Sequence, residues 1–420
     1  MTVGINVADL SEDSKTWRDF LECRLPVLPG FAEIGRIAEL ADSIKQGAFP
    51  SSGTNLPPGS VAVVANIYAG FFGGPLSQLL KCLAAVKIRA EFEKNGVAAA
   101  AVCLVRYGAR PGFSPWESVL IDRSSKLHFL KSTAGDNETP SPANADIRDE
   151  NFLREIFPGG DIESLSALKE AFLPGANLVS SCALWFEYML KDFGAIVMEA
   201  DAVSTGYNLS GAESQGLRQG RELPVAAFVA DSSEIAEYVD APPLRDGAGL
   251  VRPLVWPCPD ATISNARSLK TLKRYGLDFE RVFEGKERVI EYVRGTLKSD
   301  VPARLQKLRD EAGAVLDELE AAVFAARGDR SKRIRKARAA RIIYQLEKIQ
   351  RLSRAALSDK EKAAANRICK ACDFLAPLGR RQKDALSVAQ IPVSFGRAGL
   401  RALYEHLDIT TSDHQLIEIN

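Results

Sequence analysis

The rhythm of apolar and polar positions changes several times along this chain. Residues 60–67, SVAVVANI, form a short β-branched apolar run. The glycine-rich stretch YAGFFGGPL (68–76) follows, and residues 75–96 then place Leu76, Leu79, Leu80, Leu83, Val86 and Ala90 at helical 3–4 spacing. Pro75 suits the first helical turn, where a missing N–H costs nothing, and Gly96 suits the position just past the helix end. The alanine-rich run VAAAAVCLV (97–105) predicts a second buried strand. Strand, glycine loop, helix and strand make a βαβ unit of the parallel-sheet kind. GAIVME (194–199), LPVAAFVA (223–230) and the short ATISN (261–265) predict further strands, and residues 31–46 have helical spacing. Residues 135–148 are polar and proline-containing, the composition of a surface loop.

Past residue 280 the period becomes that of long helices. Leu305, Leu308, Ala312, Val315, Leu319 and Ala322 form one heptad seam, and Ala339, Ile342, Leu346, Ile349, Ser353 and Ala356 a second. Two helices of about 26 residues, each about 39 Å long, joined by a short turn, predict an antiparallel coiled-coil hairpin. The first arm is acidic at Asp310, Glu311, Asp317, Glu318 and Glu320; the second is basic from Arg330 to Arg341. The expected division is a core with insertions over 1–285, the hairpin over 286–385, and a C-terminal helix and tail over 386–420 packing back on the core.

Totals narrow the function only by exclusion. Lys+Arg and Asp+Glu number 54 each in 420 residues, so no global field draws the chain to nucleic acid or acidic lipid. Seven cysteines, an odd number in a long chain, point to reduced thiols rather than a disulfide framework. The longest apolar run has nine residues, against the roughly 20 needed to span a bilayer. A cytoplasmic protein without a membrane partner is the expectation.

Local chemistry leaves alternatives open. Gly70, Gly73 and Gly74 precede a helix, so the loop is either an anion cradle of backbone N–H groups or a tight corner between strand and helix. Lys81, two turns in, serves an anion or faces solvent. Cys369 and Cys372 lack the second pair that a zinc site needs, and no metal is expected. His128, His406 and His414 are the only histidines, none beside a nucleophile motif. The basic run 330–341 suits a solvated arm facing an acidic partner better than nucleic acid, since no aromatic interleaves it before Tyr344.

Several segments, in order, resemble the bacillithiol biosynthesis cysteine-adding enzyme family, the cysteine ligases. The family pattern T-G-Q-Q-A-G-L-F-G-G-P-L-Y-T-L-Y-K-A stands here as ANIYAGFFGGPLSQLLKC (65–82), keeping the glycine stretch and Lys81. LPVAAFVADSSEIAEY (223–238), RSLKTLKRYGLDFERVF (267–283), RIIYQLEKIQR (341–351) and LYEHLD (403–408) are similar to later family blocks. The resemblance implies an α/β fold: a Rossmann-like parallel-sheet core with helical insertions plus a C-terminal antiparallel α-helical coiled coil. It also implies a homodimer that adds L-cysteine to a malyl-glucosamine-type, sugar-linked acid in the making of a low-molecular-weight thiol. An adenine nucleotide (ATP or ADP) would bind near the coiled coil, away from the core pocket.

The departures fall on polar positions. T-G-Q-Q has become Ala65-Asn66-Ile67-Tyr68, and a family E-D-H-D cluster stands as Tyr107-Gly108-Ala109-Arg110. The glycines of G-G-P-G-E-I are replaced in ADSSEI, which keeps Glu234 and Ile235. Three acids and the histidine suited to proton transfer near neutral pH are gone. The expected substrate-binding set is Asn66, Tyr68, Gly70, Gly73, Gly74, Lys81, Tyr107 and Arg110, with an anionic ligand on the glycine loop and the catalytic residues left open. The alternative is a catalytically inactive family member acting as a small-molecule-binding or assembly protein.

Overall fold

The computed structural model describes residues 2–6, 34–45, 56–108, 114–131, 150–173, 176–200, 203–205, 221–231, 234–235, 254–297, 301–327, 332–411 and 413–419. They divide into two units, Met1–Lys270 with Asp373–Asn420, and Thr271–Cys372. The first unit begins with β1 (Thr2–Asn6), α1 (Ile34–Lys45), β2 (Val61–Tyr68), α2 (Ser77–Lys94) and β3 (Ala99–Arg106). A hairpin of β4 (Glu117–Ile121) and β5 (Leu127–Lys131) follows, then α3 (Glu150–Ile156), α4 (Ile162–Ala171), α5 (Leu178–Leu190) and β6 (Ile196–Glu199). Next come β7 (Val203–Thr205), β8 (Arg221–Leu223), β9 (Val225–Ala230), β10 (Leu254–Pro257) and β11 (Ala261–Ser264). Then come α6 (Ala266–Tyr275), α7 (Lys286–Leu297), α8 (Val301–Arg327) and α9 (Lys332–Leu375). The chain closes with α10 (Gln382–Ala385), α11 (Gln390–His406) and β12 (Asp413–Glu418).

Five parallel strands in the order β10-β9-β2-β3-β6 make the main sheet, so the α/β expectation holds. The sheet is buried on both faces, which is why its strands read as continuous apolar runs rather than alternating ones. Val61, Val63, Ala65 and Ile67 enter the larger core with α2 and α5; Ala62 and Val64 enter a smaller core with Leu223, Ile235 and Val255. The first half of α2 is buried all round, from Ser77 to Val86, beyond the single apolar face that the leucine spacing implies. Side-chain caps start the helices of the insertion. Asp161 accepts from the Ser164 N–H at the head of α4, and Asn177 accepts from Val179 and Ser180 N–H at the head of α5. A second sheet, β1-β12-β11, joins the two ends of this unit. The segment 135–148 lies outside the described residues.

The second unit runs from Thr271 to Cys372, where the sequence placed its hairpin between 286 and 385. In it, α8 and α9 are antiparallel: Gln350 Nε2 donates to Gln306 Oε1 at 2.9 Å, and Arg309 faces Glu347 at 3.8 Å. The seam differs from the heptad reading. Leu308, Val315 and Leu319 are 55–61% exposed, and Ile342 and Ile349 are 48% exposed. The partly covered positions include Leu305, Gln306, Arg309, Ala312, Gly313 and Leu316 on one helix, with Ile343, Leu346, Glu347 and Ser353 on the other, where Gln350 is buried. The seam has rotated by about one residue, since the 306–350 and 309–347 polar pairs fix the register. The displaced leucines and isoleucines flank it as an exposed apolar stripe.

Candidate functional site

In an open parallel sheet, ligands bind outside the carboxyl ends of the strands, where the strand order reverses direction. Here β2 is central and the chain builds outward first through β3 and β6, then through β9 and β10. The reversal therefore lies between β2 and β9, at Tyr68 and Asp231. Asn66, Tyr68, Gln78 and Lys81 come to it from β2 and α2, and Asp231 and Glu234 come from the turn after β9.

The glycine loop is a corner whose N–H groups are spent inside the protein. Ala69 N–H donates to the Arg106 carbonyl, Phe71 N–H to that of Pro115, and Leu76 N–H to that of Leu386. Gly70 N–H points at Cys182 Sγ (3.3 Å), and the Cys182 thiol donates back to the Gly70 carbonyl (3.1 Å). Gly73 N–H donates to the Gly70 carbonyl at 2.9 Å and Gly74 N–H to that of Phe71 at 3.3 Å. The expected anion cradle of Gly73 and Gly74 is thus not formed by those two donors, because the turn uses both. The glycines are required by backbone and space. Gly73 has φ 88°, and a Cβ there would sit 2.9 Å from Trp185 Cδ1; Gly74 has φ 75° and ψ −160°, a region essentially closed to other residues. Burial in this corner pushes the Cys182 thiol up to about 12.

Lys81 is fully buried, not facing solvent. Its Nζ lies 3.1 Å from both Asp231 Oδ2 and Glu234 Oε2. The two carboxylates also cap a helix start reciprocally: Asp231 N–H donates to Glu234 Oε2 (3.0 Å) and Glu234 N–H to Asp231 Oδ1 (3.2 Å). This is a capping box, written in the sequence as D-S-S-E at 231–234. Lys81 therefore already faces two carboxylates, which does not fit an anion held on it. Two atoms in the cluster have no protein partner although their residues are 0–1% exposed: Glu234 Oε1, an acceptor, and Gln78 Nε2, a donor. The Gln78 Oε1 is occupied by the Tyr68 N–H (3.2 Å).

Asn66 is buried on β2, and the Tyr68 ring sits 5.5 Å from Lys81 Nζ and 5.8 Å from the Arg106 guanidinium. Tyr107 is exposed just past β3, and Arg110 lies outside the described residues. The structure therefore brings Asn66, Tyr68, Gly70 and Lys81 to one edge, while Gly74 faces another cleft described below. Sequence reasoning missed Asp231 and Gln78, although the D-x-x-E spacing marks the former.

A second polar cluster lies where β11 meets β12. Asp260 is held by Arg381 (3.1 Å), with His414 Nδ1 3.3 Å away, and His414 Nε2 contacts Thr262 Oγ1 (3.0 Å). Burial opposes the Asp260 charge, but Lys383, His414 and Arg381 together hold its carboxyl far below the usual range. Burial likewise opposes the charge on Lys383, yet Asp260 and Asp384 raise it above the ordinary lysine value. Between the clusters, burial pushes Cys258 up to about 11. Among the described residues no group of His, Cys, Asp and Glu could hold a metal, and no helix is long and apolar enough to cross a membrane.

Residues 261–419 match the family model described as bacillithiol biosynthesis BshC, C-terminal coiled-coil domain. The matched stretch takes in the second unit together with β11, α10, α11 and β12 of the first. Over 208 residues, 48% of this chain, the sequence is 26% identical to the "Putative cysteine ligase BshC" of Solibacter usitatus, covering 38% of that protein. Over 209 residues, 48% of this chain, it is 28% identical to the protein of the same name from Salinibacter ruber, covering 37% of it. The aligned stretches thus amount to well under half of each relative's length.

Proposed function

We infer that this chain, a divergent member of the BshC family, is a carbon–nitrogen-bond-forming cysteine ligase working at the β2/β9 edge of its sheet. The acceptor is a malyl-glucosamine-type amino sugar, and the product is an amide with loss of the elements of water. The observation that carries this reading is the pair of unsatisfied buried atoms, Glu234 Oε1 and Gln78 Nε2, at the switch point. A carboxylate oxygen with no protein donor is suited to an amine N–H, and an amide donor with no acceptor is suited to a carboxyl oxygen. The two reacting groups are the amine of the sugar and the carboxyl of cysteine, so Glu234 Oε1 would take the amine proton while Gln78 Nε2 holds a carboxyl oxygen. Lys81 is a positioning residue that fixes both carboxylates, and Asp231 locks Glu234 through the capping box.

An adenine nucleotide would supply the energy for such a bond. The described residues at the switch point do not fit its phosphates, since the N–H groups of Gly73 and Gly74 are used within the turn and Lys81 already faces two carboxylates. No step is therefore assigned to a nucleotide there. The homodimer belongs to the same reading: a second copy covers the stripe of Leu308, Val315, Leu319, Ile342 and Ile349. A two-fold axis would set the acidic α8 of one copy against the basic α9 of the other, which supports a self-complementary face.

A non-catalytic binding protein is the second reading, favoured by one observation: the residues after β3, Tyr107 and Gly108, supply no acid and no histidine. Turnover separates the two. Purified chain would be given cysteine and malyl-glucosamine, with and without ATP, and followed by mass spectrometry beside Glu234→Gln. The expected result is a product heavier by cysteine minus water, slowed by about 100-fold or more in the variant. A folded wild type that makes no product, or a variant as fast as wild type, overturns the assignment.

A further inference from the structure

Away from the switch point, a cleft of about 290 Å³ is bounded by Gly74 and Pro75, Ser118 and Phe129, and Arg380 and Asp384. Its charges are answered within the protein. Arg381 and Lys383 face Asp384 at 3.0 and 3.8 Å, and Glu117 and Arg380 have partners of their own. Another cation lacks such a partner. Arg106, at the carboxyl end of β3, is half-buried, and among the described residues no carboxylate faces its guanidinium.

Strand alternation fixes where Arg106 sits. Ala100, Val102 and Leu104 on β3, with Ala62 and Val64 on β2, line the smaller core. Arg106 on β3, and Asn66 and Tyr68 on β2, continue that face to the carboxyl edge of the sheet. The register pairs Leu104 with Asn66 and Arg106 with Tyr68, so these side chains form two adjacent rows. The guanidinium carbon of Arg106 lies 5.8 Å from the centre of the Tyr68 ring. The chain after β3 lies against the same ring, since a Cβ at Gly108 would stand 3.4 Å from Tyr68 Cε1. Glu199, at the end of β6, is in register with Val105 and falls on the opposite face. Asn66 is 6% exposed, and its amide has no hydrogen-bond partner among the described residues.

A guanidinium beside an aromatic ring is held in place without using its N–H donors, and its fork matches the paired oxygens of a carboxylate or phosphate. Lys81, 5.5 Å from the same ring, is committed to Asp231 and Glu234. We propose that Arg106, Tyr68 and Asn66 form an oxyanion subsite that selects substrates bearing a carboxylate or a phosphate. Arg106 takes two oxygens of the anion, the Asn66 amide donates to one of them, and Tyr68 holds the guanidinium. Residues 106–110 carry two arginines and no acid where the family pattern has an acidic cluster, so this selection is a property of the present chain. The Tyr68 N–H is held by Gln78 Oε1 at 3.2 Å, which ties the subsite to the amide whose Nε2 lacks an acceptor. A substrate reacting at Glu234 and Gln78 therefore directs its anionic group toward β3. That placement rests on the ligase reading; the binding of an oxyanion at Arg106 does not.

The test is calorimetric titration of the full chain at low ionic strength with inorganic phosphate and, separately, with succinate. Arg106→Gln removes the fork, and Arg106→Lys keeps the charge without it. Saturable binding of at least one anion is expected, weakened about tenfold or more in Arg106→Gln and restored only in part by Arg106→Lys. The anion that binds names the group. Binding of neither anion, or Arg106→Gln binding as wild type does, overturns the subsite. A second readout needs no variant. The bound anion should slow modification of Arg106 by phenylglyoxal in the wild type, followed by peptide mass spectrometry, and an unchanged rate also overturns it. The turnover assay keeps the two readings apart. Product formed by Arg106→Gln with wild-type kcat and KM strikes the subsite and leaves the ligase. An anion bound through Arg106 by a chain that forms no product strikes the ligase and leaves the subsite.

Discussion

Replacing Lys81 with methionine is the most informative single perturbation of this molecule. The side chain keeps nearly its length and apolar stem, so the cavity term is small and the lost ammonium dominates. Two carboxylates, Asp231 and Glu234, at 5% and 1% exposure, then remain in the interior without the ammonium that faces both. Removing one partner from a buried ion pair costs about 3–5 kcal/mol, because the remaining charge is desolvated without compensation. At the 2–4 °C per kcal/mol typical of domains of about 150–250 residues, the variant should melt roughly 6–20 °C below wild type at pH 7. Adding Asp231→Asn and Glu234→Gln to the variant should recover most of the loss at pH 7. A loss under about 1 kcal/mol would refute the argument, since it would mean that water already compensates the carboxylates.

Four further outcomes follow from the same structure. Gly73→Ala should destabilise by about 1–3 kcal/mol from its φ of 88° alone, with more from the 2.9 Å approach to Trp185, read as a lower denaturation midpoint; an unchanged midpoint would mean the corner relaxes freely. Asp122, whose carboxyl is lowered to about 2 because His128 and the Ser124 and Lys126 N–H groups outweigh partial burial, lends the β4–β5 hairpin stability that is present above pH 3.8 and lost as pH falls towards 2. Asp122→Ala should erase that acid step in amide NMR shifts of Ser124 and Lys126. Leu308→Glu with Ile349→Glu should turn a dimer into monomer in analytical ultracentrifugation while leaving the melting of the first unit unchanged; a monomeric wild type would remove the two-fold proposal. Iodoacetamide on the native chain should label Cys369 before Cys82, Cys103, Cys182, Cys258 or Cys372, since those five are buried; early labelling of Cys182 would contradict the closed glycine corner.

The parallel sheet was legible because strands covered on both faces must be apolar throughout, and no other reading suits SVAVVANI and VAAAAVCLV around a leucine-spaced helix. The seam of the second unit was less so. Two overlapping heptad frames can be drawn through Leu305–Leu319, and apolar spacing alone prefers the one with more leucines. Polar pairs across the hairpin, Gln306 with Gln350 and Arg309 with Glu347, chose the other. The candidate site divides in the same way. Gly70, Gly73, Gly74 and Lys81 announced themselves by position, but their roles depend on partners more than 100 residues away, Cys182, Asp231 and Leu386. A glycine loop before a helix reads alike whether its N–H groups face a ligand or another loop. The cleft at Ser118 left no trace in local pattern, since its walls come from three separate stretches.

The segment Leu386–Val388, which takes the Leu76 N–H and gives its own to Gly74, is made late and packs against the glycine corner. Between Lys270 and Asp373 the nascent chain inserts the whole second unit, a detour of 102 residues, before the first unit receives this clasp, α11 and β12. At about 5–20 residues per second of synthesis, the half-made first unit waits roughly 5–20 s with the head of α2 uncovered. Its apolar walls around Leu76, Leu79 and Trp185 lack their final cover for that interval, so any tendency of the nascent chain to aggregate is expected to follow from the topology rather than from any one residue. A fragment ending at residue 270 would reproduce that interrupted state permanently, and would be a direct sample of it.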